Sequence, residues 1–128
     1  MPLKPKILLL LLLLEMEACQ TKNSLFRQLG AVETGIAFNN SITDSEQLNV
    51  MSFEYIYNGG GVGVGDFNND GFQDLYFTGN QVSSKLYLNN GKLKFRDISA
   101  VSNTGTKVWC TGVTVADINQ DGRIYMFA

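Results

Sequence analysis

Histidine is absent from this sequence, and cysteine occurs only twice, at Cys19 and Cys110. With no imidazole and two distant thiols, the chain lacks the ligand set of a zinc site. A catalytic thiol is disfavoured too, because Cys110 has no histidine to serve as its base. Positive charge is not in excess: 10 Lys and Arg stand against 12 Asp and Glu, for a net charge of −2. No basic patch is visible, which argues against a nucleic-acid partner. Long apolar runs are also missing. The unbroken run Ile7–Leu14 covers eight residues, too few to cross a bilayer. A chain of 128 residues has room for one domain at most. Its hydrophobic content of 45% is ordinary for a globular chain.

The short run at the front reads instead as a targeting segment. Lys4 and Lys6 precede Ile7–Leu14, the arrangement of a secretory signal. Ala18-Cys19 follows, a small residue directly before cysteine. This resembles the end of a bacterial lipoprotein signal, which implies lipidation of Cys19 and a membrane anchor through it. Glu15, Met16 and Glu17 depart from that pattern. Plain secretion stays open for that reason. If Cys19 carries lipid, Cys110 has no disulfide partner and reads as a small buried hydrophobe beside Trp109. Residues 1–19 are thus a lipoprotein-like signal, 20–57 a lead-in segment, and 58–128 a repeat region.

The chemistry concentrates in Asp66-Phe67-Asn68-Asn69-Asp70-Gly71-Phe72-Gln73-Asp74. Asp66, Asn68, Asp70 and Asp74 fall at loop positions 1, 3, 5 and 9, with glycine at position 6. Oxygen-only ligands at this spacing suit a hard cation, and calcium is the natural choice. Phe72, at position 7, could add its backbone carbonyl. Gly71 permits the sharp turn because it has no Cβ to clash at positive φ. The bland alternative is an Asn/Asp/Gly-rich turn that binds no metal. An EF-hand is excluded by the flanks. Gly61-Val62-Gly63-Val64-Gly65 and Leu75-Tyr76-Phe77-Thr78 read as strands, not helices, and position 12 is Phe77 where an EF-hand needs Glu. The same strand flanks argue against a dockerin-like module.

The remaining strands are expected from period-two patterning. Met51, Phe53, Tyr55 and Tyr57 alternate and suggest a strand near 52–57. Further strands are expected at 75–78, 85–89 and 93–98. Asn90-Gly91 signals a type I′ hairpin, which would bury Leu86, Leu88, Leu93 and Phe95 and leave Lys92, Lys94 and Arg96 toward water. The pattern then returns 51 residues on. Gly112-Val113-Thr114-Val115-Ala116-Asp117-Ile118-Asn119-Gln120-Asp121-Gly122 matches 61–71 position by position. A period near 50, with four candidate strands in it, is the signature of propeller blades. The expected fold is all-β, with β-propeller-type blade repeats: one blade plus the start of a second.

These residues resemble the FG-GAP/VCBS repeat, which builds the β-propeller of integrin α subunits and of many secreted bacterial proteins. The resemblance is carried by Asp66-x-Asn68-x-Asp70-Gly71-x-x-Asp74 with its flanks, by Lys85-Leu-Tyr-Leu-Asn-Asn-Gly, and by Phe95-Arg-Asp-Ile. It implies a calcium ion in each loop, held in the second by Asp117, Asn119 and Asp121. The second loop departs from the pattern, because Tyr125 stands where position 9 should be Asp. It therefore lacks one ligand. One repeat and the start of another fall short of the roughly three or more that such units need. The sequence reads as a fragment of a larger propeller, with a short protein completed by self-assembly as the alternative.

The function expected is a non-catalytic, calcium-binding module of a secreted or outer-membrane, cell-surface lipoprotein, engaged in binding or adhesion to an extracellular protein or glycan. The alternative is an accessory or catalytic part of a propeller enzyme acting on extracellular polymers. No nucleophile–base pair supports it, and Asp66, Asp70 and Asp74 suit a cation better than glycoside chemistry.

Overall fold

The computed structural model describes residues 24–128. The leader expected at residues 1–19, Cys19 included, lies outside the described residues. Among the described residues, no helix is long and apolar enough to cross a membrane.

Among the described residues, six strands and two single-turn helices follow one another in the order α1 (Ala31–Thr34), β1 (Val62–Gly65), β2 (Asp74–Phe77), β3 (Lys85–Asn89), β4 (Phe95–Asp97), α2 (Ser99–Ser102), β5 (Thr114–Ala116) and β6 (Tyr125–Phe127). Strands β1 to β4 form one antiparallel sheet in sequence order, and β5–β6 form a second, two-stranded sheet. The first sheet is a meander of four strands, the strand count of one propeller blade. The second repeats the β1–β2 hairpin: Gly65 pairs with Asp74, and Ala116 pairs with Tyr125. The chain is all-β with blade-type repeats, as its patterning predicts.

The alternation in β1 has an unexpected sense. Val62 and Val64 are exposed, while Gly63 and Gly65 are buried. A Cβ on Gly63 would lie 2.8 Å from Val115 Cγ2, and one on Gly65 3.1 Å from Val115 Cγ1 and Ile124 Cδ1. Glycine therefore lets the second sheet close onto the first, where any larger side chain would hold it off.

The core is small: Ile56, Tyr76, Leu86, Tyr87 and Cys110 are its buried apolar members. Tyr76 turns its hydroxyl to the Thr104 carbonyl at 2.9 Å, which lets an aromatic with a polar end be buried. Phe38 stacks on Phe77 with ring centroids 5.2 Å apart, and Phe77 meets Tyr87 edge-on at 5.8 Å. The lead-in segment thereby covers part of one sheet face. Much of the remaining interior is polar but hydrogen-bonded. Asn80, for example, donates to the carbonyls of Gly59 and Cys110 and receives Nδ2–H of Asn40 at 2.6 Å. Cys110 is a free, buried thiol.

Two expectations are corrected. Residues 52–57 form turns, not a strand. Phe53 N–H bonds to the Asn49 carbonyl, Ile56 N–H to Phe53, and Asn58 N–H to Tyr55, so the backbone satisfies itself locally. Ile56 is fully buried and Phe53 half-buried, and this three-residue spacing suits a helical turn rather than a strand. Met51, Tyr55 and Tyr57 face water. The second correction is the hairpin turn between β3 and β4. It is not centred on Asn90-Gly91. Lys94 N–H closes on the Gly91 carbonyl at 3.1 Å, leaving Lys92 and Leu93 as the central residues, at φ 54° and 56°. Leu93 is therefore in the turn and exposed, and β4 begins only at Phe95. The side chain of Asn89 takes the Gly91 N–H at 2.9 Å, which holds the glycine before the turn rather than inside it.

Candidate functional site

The loop between β1 and β2 is shaped by its own side chains. Asp66 Oδ1 accepts Asp70 N–H at 3.0 Å, and Asp66 Oδ2 accepts Gly71 N–H at 2.8 Å. Asn68 Oδ1 accepts the same Asp70 N–H at 3.1 Å, and its amide donates to Asp70 Oδ2 at 2.8 Å. Asp70 Oδ1 accepts Phe72 N–H at 2.8 Å. Short acidic and amide side chains fold the backbone this way because they reach donors two to five residues ahead. Two residues absorb the turn at positive φ: Asn69 at 58° and Gly71 at 87°. Gly71 is thus in the conformation that its place in the sequence predicts. Phe72 is half exposed, with its ring beside Gly91.

Asp74 plays a different part. It opens β2 and is fully buried. Its Oδ2 accepts Phe67 N–H at 2.9 Å, and its Oδ1 accepts Asn89 N–H at 2.8 Å. Asn89 answers by donating its amide to the Gln73 carbonyl at 3.0 Å. One carboxylate thus ties the start of the loop, its end and β3 together. Sequence reading places Asp74 among the ligands but misses this bracing role, and it misses Asn89 altogether. The only available signal is a polar residue ending the apolar run Leu86-Tyr87-Leu88.

The structure brings Asp66, Asn68 and Asp70 together through shared N–H donors and sets Asp74 at the mouth of the loop. Among the described residues, no three Asp, Glu, Cys or His side chains converge as a ready-made cation cage. The donor set is nevertheless of the kind calcium takes: three carboxylates and an amide oxygen, all within nine residues. Each carboxylate oxygen spends one lone pair on an N–H and retains another. A cation would draw these oxygens inward without dismantling the turn.

The loop between β5 and β6 repeats this geometry bond for bond. Asp117 Oδ1 accepts Asp121 N–H at 3.2 Å and Asp117 Oδ2 accepts Gly122 N–H at 2.8 Å. Asn119 donates to Asp121 Oδ2 at 3.0 Å, and Asp121 Oδ1 accepts Arg123 N–H at 2.8 Å. Gln120 and Gly122 take the positive φ values, 58° and 81°. What is missing is the brace: Tyr125 stands in the place of Asp74 and is 42% exposed.

An acidic loop that returns between paired strands, with one sheet closing on the next through glycines, defines a repeat protein of the blade type. The sequence model of the family described as FG-GAP-like repeat matches residues 66–128. Residues 66–128 thus carry an FG-GAP-like repeat. No curated protein and no solved structure matches it.

Proposed function

We propose that this chain is a non-catalytic, calcium-binding repeat module of a secreted or surface-anchored protein, and that it serves in binding or adhesion. The observation that carries the calcium reading is the grouping of Asp66, Asn68 and Asp70 around one N–H, with Asp74 fixed at the loop mouth. Calcium here is structural: it offsets the mutual repulsion of the three carboxylates and holds β1 against β2. The ion would be held by Asp66, Asn68, Asp70 and Asp74, with the Phe72 carbonyl as a further oxygen. In the second loop Asp117, Asn119 and Asp121 supply an incomplete set. The anchor would be lipid on Cys19, and the partner an extracellular protein or glycan meeting a surface away from the loops.

Terbium luminescence, displaced by calcium, tests this reading. Asp70→Ala should remove most of the signal, and Asp121→Ala should change it little. Equal losses from the two substitutions would sink the distinction between the loops. No luminescence in the unsubstituted chain would sink the calcium reading itself.

A further inference from the structure

Strand β3 sets Lys85 and Tyr87 on one sheet face, and Asp97, the register partner of Tyr87 in β4, stands on the same face beside them. The lead-in residues 37–39 and residues 82–83, just before β3, line a cavity of about 320 Å³ together with this trio. Phe38 is the aromatic wall of the cavity, and its stacking on Phe77 at 5.2 Å holds it in place.

One group in the cavity lacks a partner. Tyr87 is 3% exposed, yet its hydroxyl has no hydrogen-bond partner among the described residues. The other buried tyrosine, Tyr76, donates its hydroxyl to the Thr104 carbonyl. A buried polar group is ordinarily paired in this way. Nor is the Tyr87 hydroxyl sealed in. Among the described residues, the fully enclosed side-chain polar atom without a partner is Trp109 Nε1. The Tyr87 hydroxyl therefore opens on the cavity that its residue lines. Beside it, Lys85 Nζ gives one N–H to Asp97 Oδ2 at 2.9 Å and keeps two. Asp97 Oδ1 accepts the N–H and the hydroxyl of Ser99, which fixes the carboxylate.

We infer that this cavity binds one neutral pyranose ring of a sugar. Charge decides for a neutral ligand: Asp97 already balances Lys85, so a carboxylate brought to Lys85 would sit against Asp97. Adjacent sugar hydroxyls suit such a pair, because one accepts from Lys85 while its neighbour donates to Asp97, and both bonds are charge-assisted. The Tyr87 hydroxyl meets a third oxygen, and the apolar C–H face of the ring rests on Phe38. An aromatic wall with a few convergent polar groups is the usual make-up of a small-molecule site. The volume lies at the lower end of the range for such sites, about 300–1,000 Å³, which suits a single ring. The inference rests on the binding role proposed above and gives it a ligand class, but it does not rest on calcium.

Ligand-observed NMR titration of the full chain tests it, with glucose, galactose, mannose and the methyl α- and β-pyranosides of each as probes. At least one of these sugars should bind. Tyr87→Phe should weaken that binding about fivefold, the effect of losing one neutral hydrogen bond. The same substitution should leave the denaturation midpoint unchanged, since the hydroxyl has no protein partner to lose. Lys85→Met should weaken binding about tenfold or more, because a charge-assisted bond goes. A methyl pyranoside that binds as well as its free sugar assigns the site to the last ring of a glycan, and binding of the free sugars alone assigns it to a free sugar. Either result supports the proposal. No binding of any probe, binding indifferent to both substitutions, binding of N-acetylglycine in place of the sugars, or a lowered midpoint in Tyr87→Phe would each overturn it. Terbium luminescence on the same sample keeps the calcium reading separate: a chain that takes terbium and no sugar loses this inference alone.

Discussion

The two acidic loops have the same hydrogen-bond wiring and part company at position 9. In the first, Asp74 is fully buried and grips Phe67 N–H and Asn89 N–H. In the second, Tyr125 is 42% exposed and offers no carboxylate to either side. The comparison separates two things that a motif merges. Asp, Asn and Gly at positions 1, 3, 5 and 6 suffice to shape the turn, since both loops adopt it. Position 9 does not shape the turn; it fastens the turn to the sheet. The first sheet can receive that bond because β3 supplies Asn89, and the two-stranded second sheet has no third strand among the described residues.

The largest effect should come from the fastening residue. Asp74→Ala leaves one buried and one part-buried N–H without acceptors and should cost about 3 kcal/mol in unfolding free energy. Tyr125→Ala at the equivalent site should cost about 1 kcal/mol or less, since it removes only a half-exposed ring. Chemical denaturation of both variants measures this, and equal costs would break the comparison. The turn-shaping residues should behave alike. Gly71→Ala and Gly122→Ala each force a side chain to φ near +80°, into open space, at about 1 kcal/mol apiece. A clear difference between them would mean the two turns are not equivalent.

The smallest effect concerns β4, which has no counterpart in the second sheet among the described residues. Burial pushes the Asp97 carboxyl up, but hydrogen bonds from Ser99 Oγ and N–H and from Lys85 Nζ outweigh it and hold the carboxyl below its ordinary range. A folded-state value lower than the unfolded one means the stabilisation is complete above the unfolded value. It fades as pH falls through the folded one. Lys85 and Asp97 are both more than a third exposed, so the effect should be about a few tenths of a kcal/mol. The difference in stability between the unsubstituted chain and Asp97→Asn should be constant near neutrality and shrink in acid. A difference that grows in acid would contradict the assignment.

Much of this architecture was legible in the residues. Alternation located β1, β2 and β3 to within a residue or so, and the self-similarity of 61–71 and 112–122 announced the second hairpin. Alternation misled at 52–57 because Met51, Phe53, Tyr55 and Tyr57 satisfy a period of two while Phe53 and Ile56 satisfy a helical spacing, and local hydrogen bonds decided between them. Asn90-Gly91 misled because the Asn89 side chain holds Gly91 ahead of the turn. The burial of glycine rather than valine in β1 was not legible at all. Which face of a strand is covered depends on what packs there, and the covering residues lie some fifty positions on.

That long-range cover has a consequence for biosynthesis. Val113, Val115 and Ile124 leave the ribosome well after Gly63 and Gly65. Domains generally begin to fold from the N-terminal side as they are made. The first meander can pair its strands early, but its glycine face stays bare until the later hairpin arrives. During that interval the nascent chain exposes a backbone surface shaped for one specific lid.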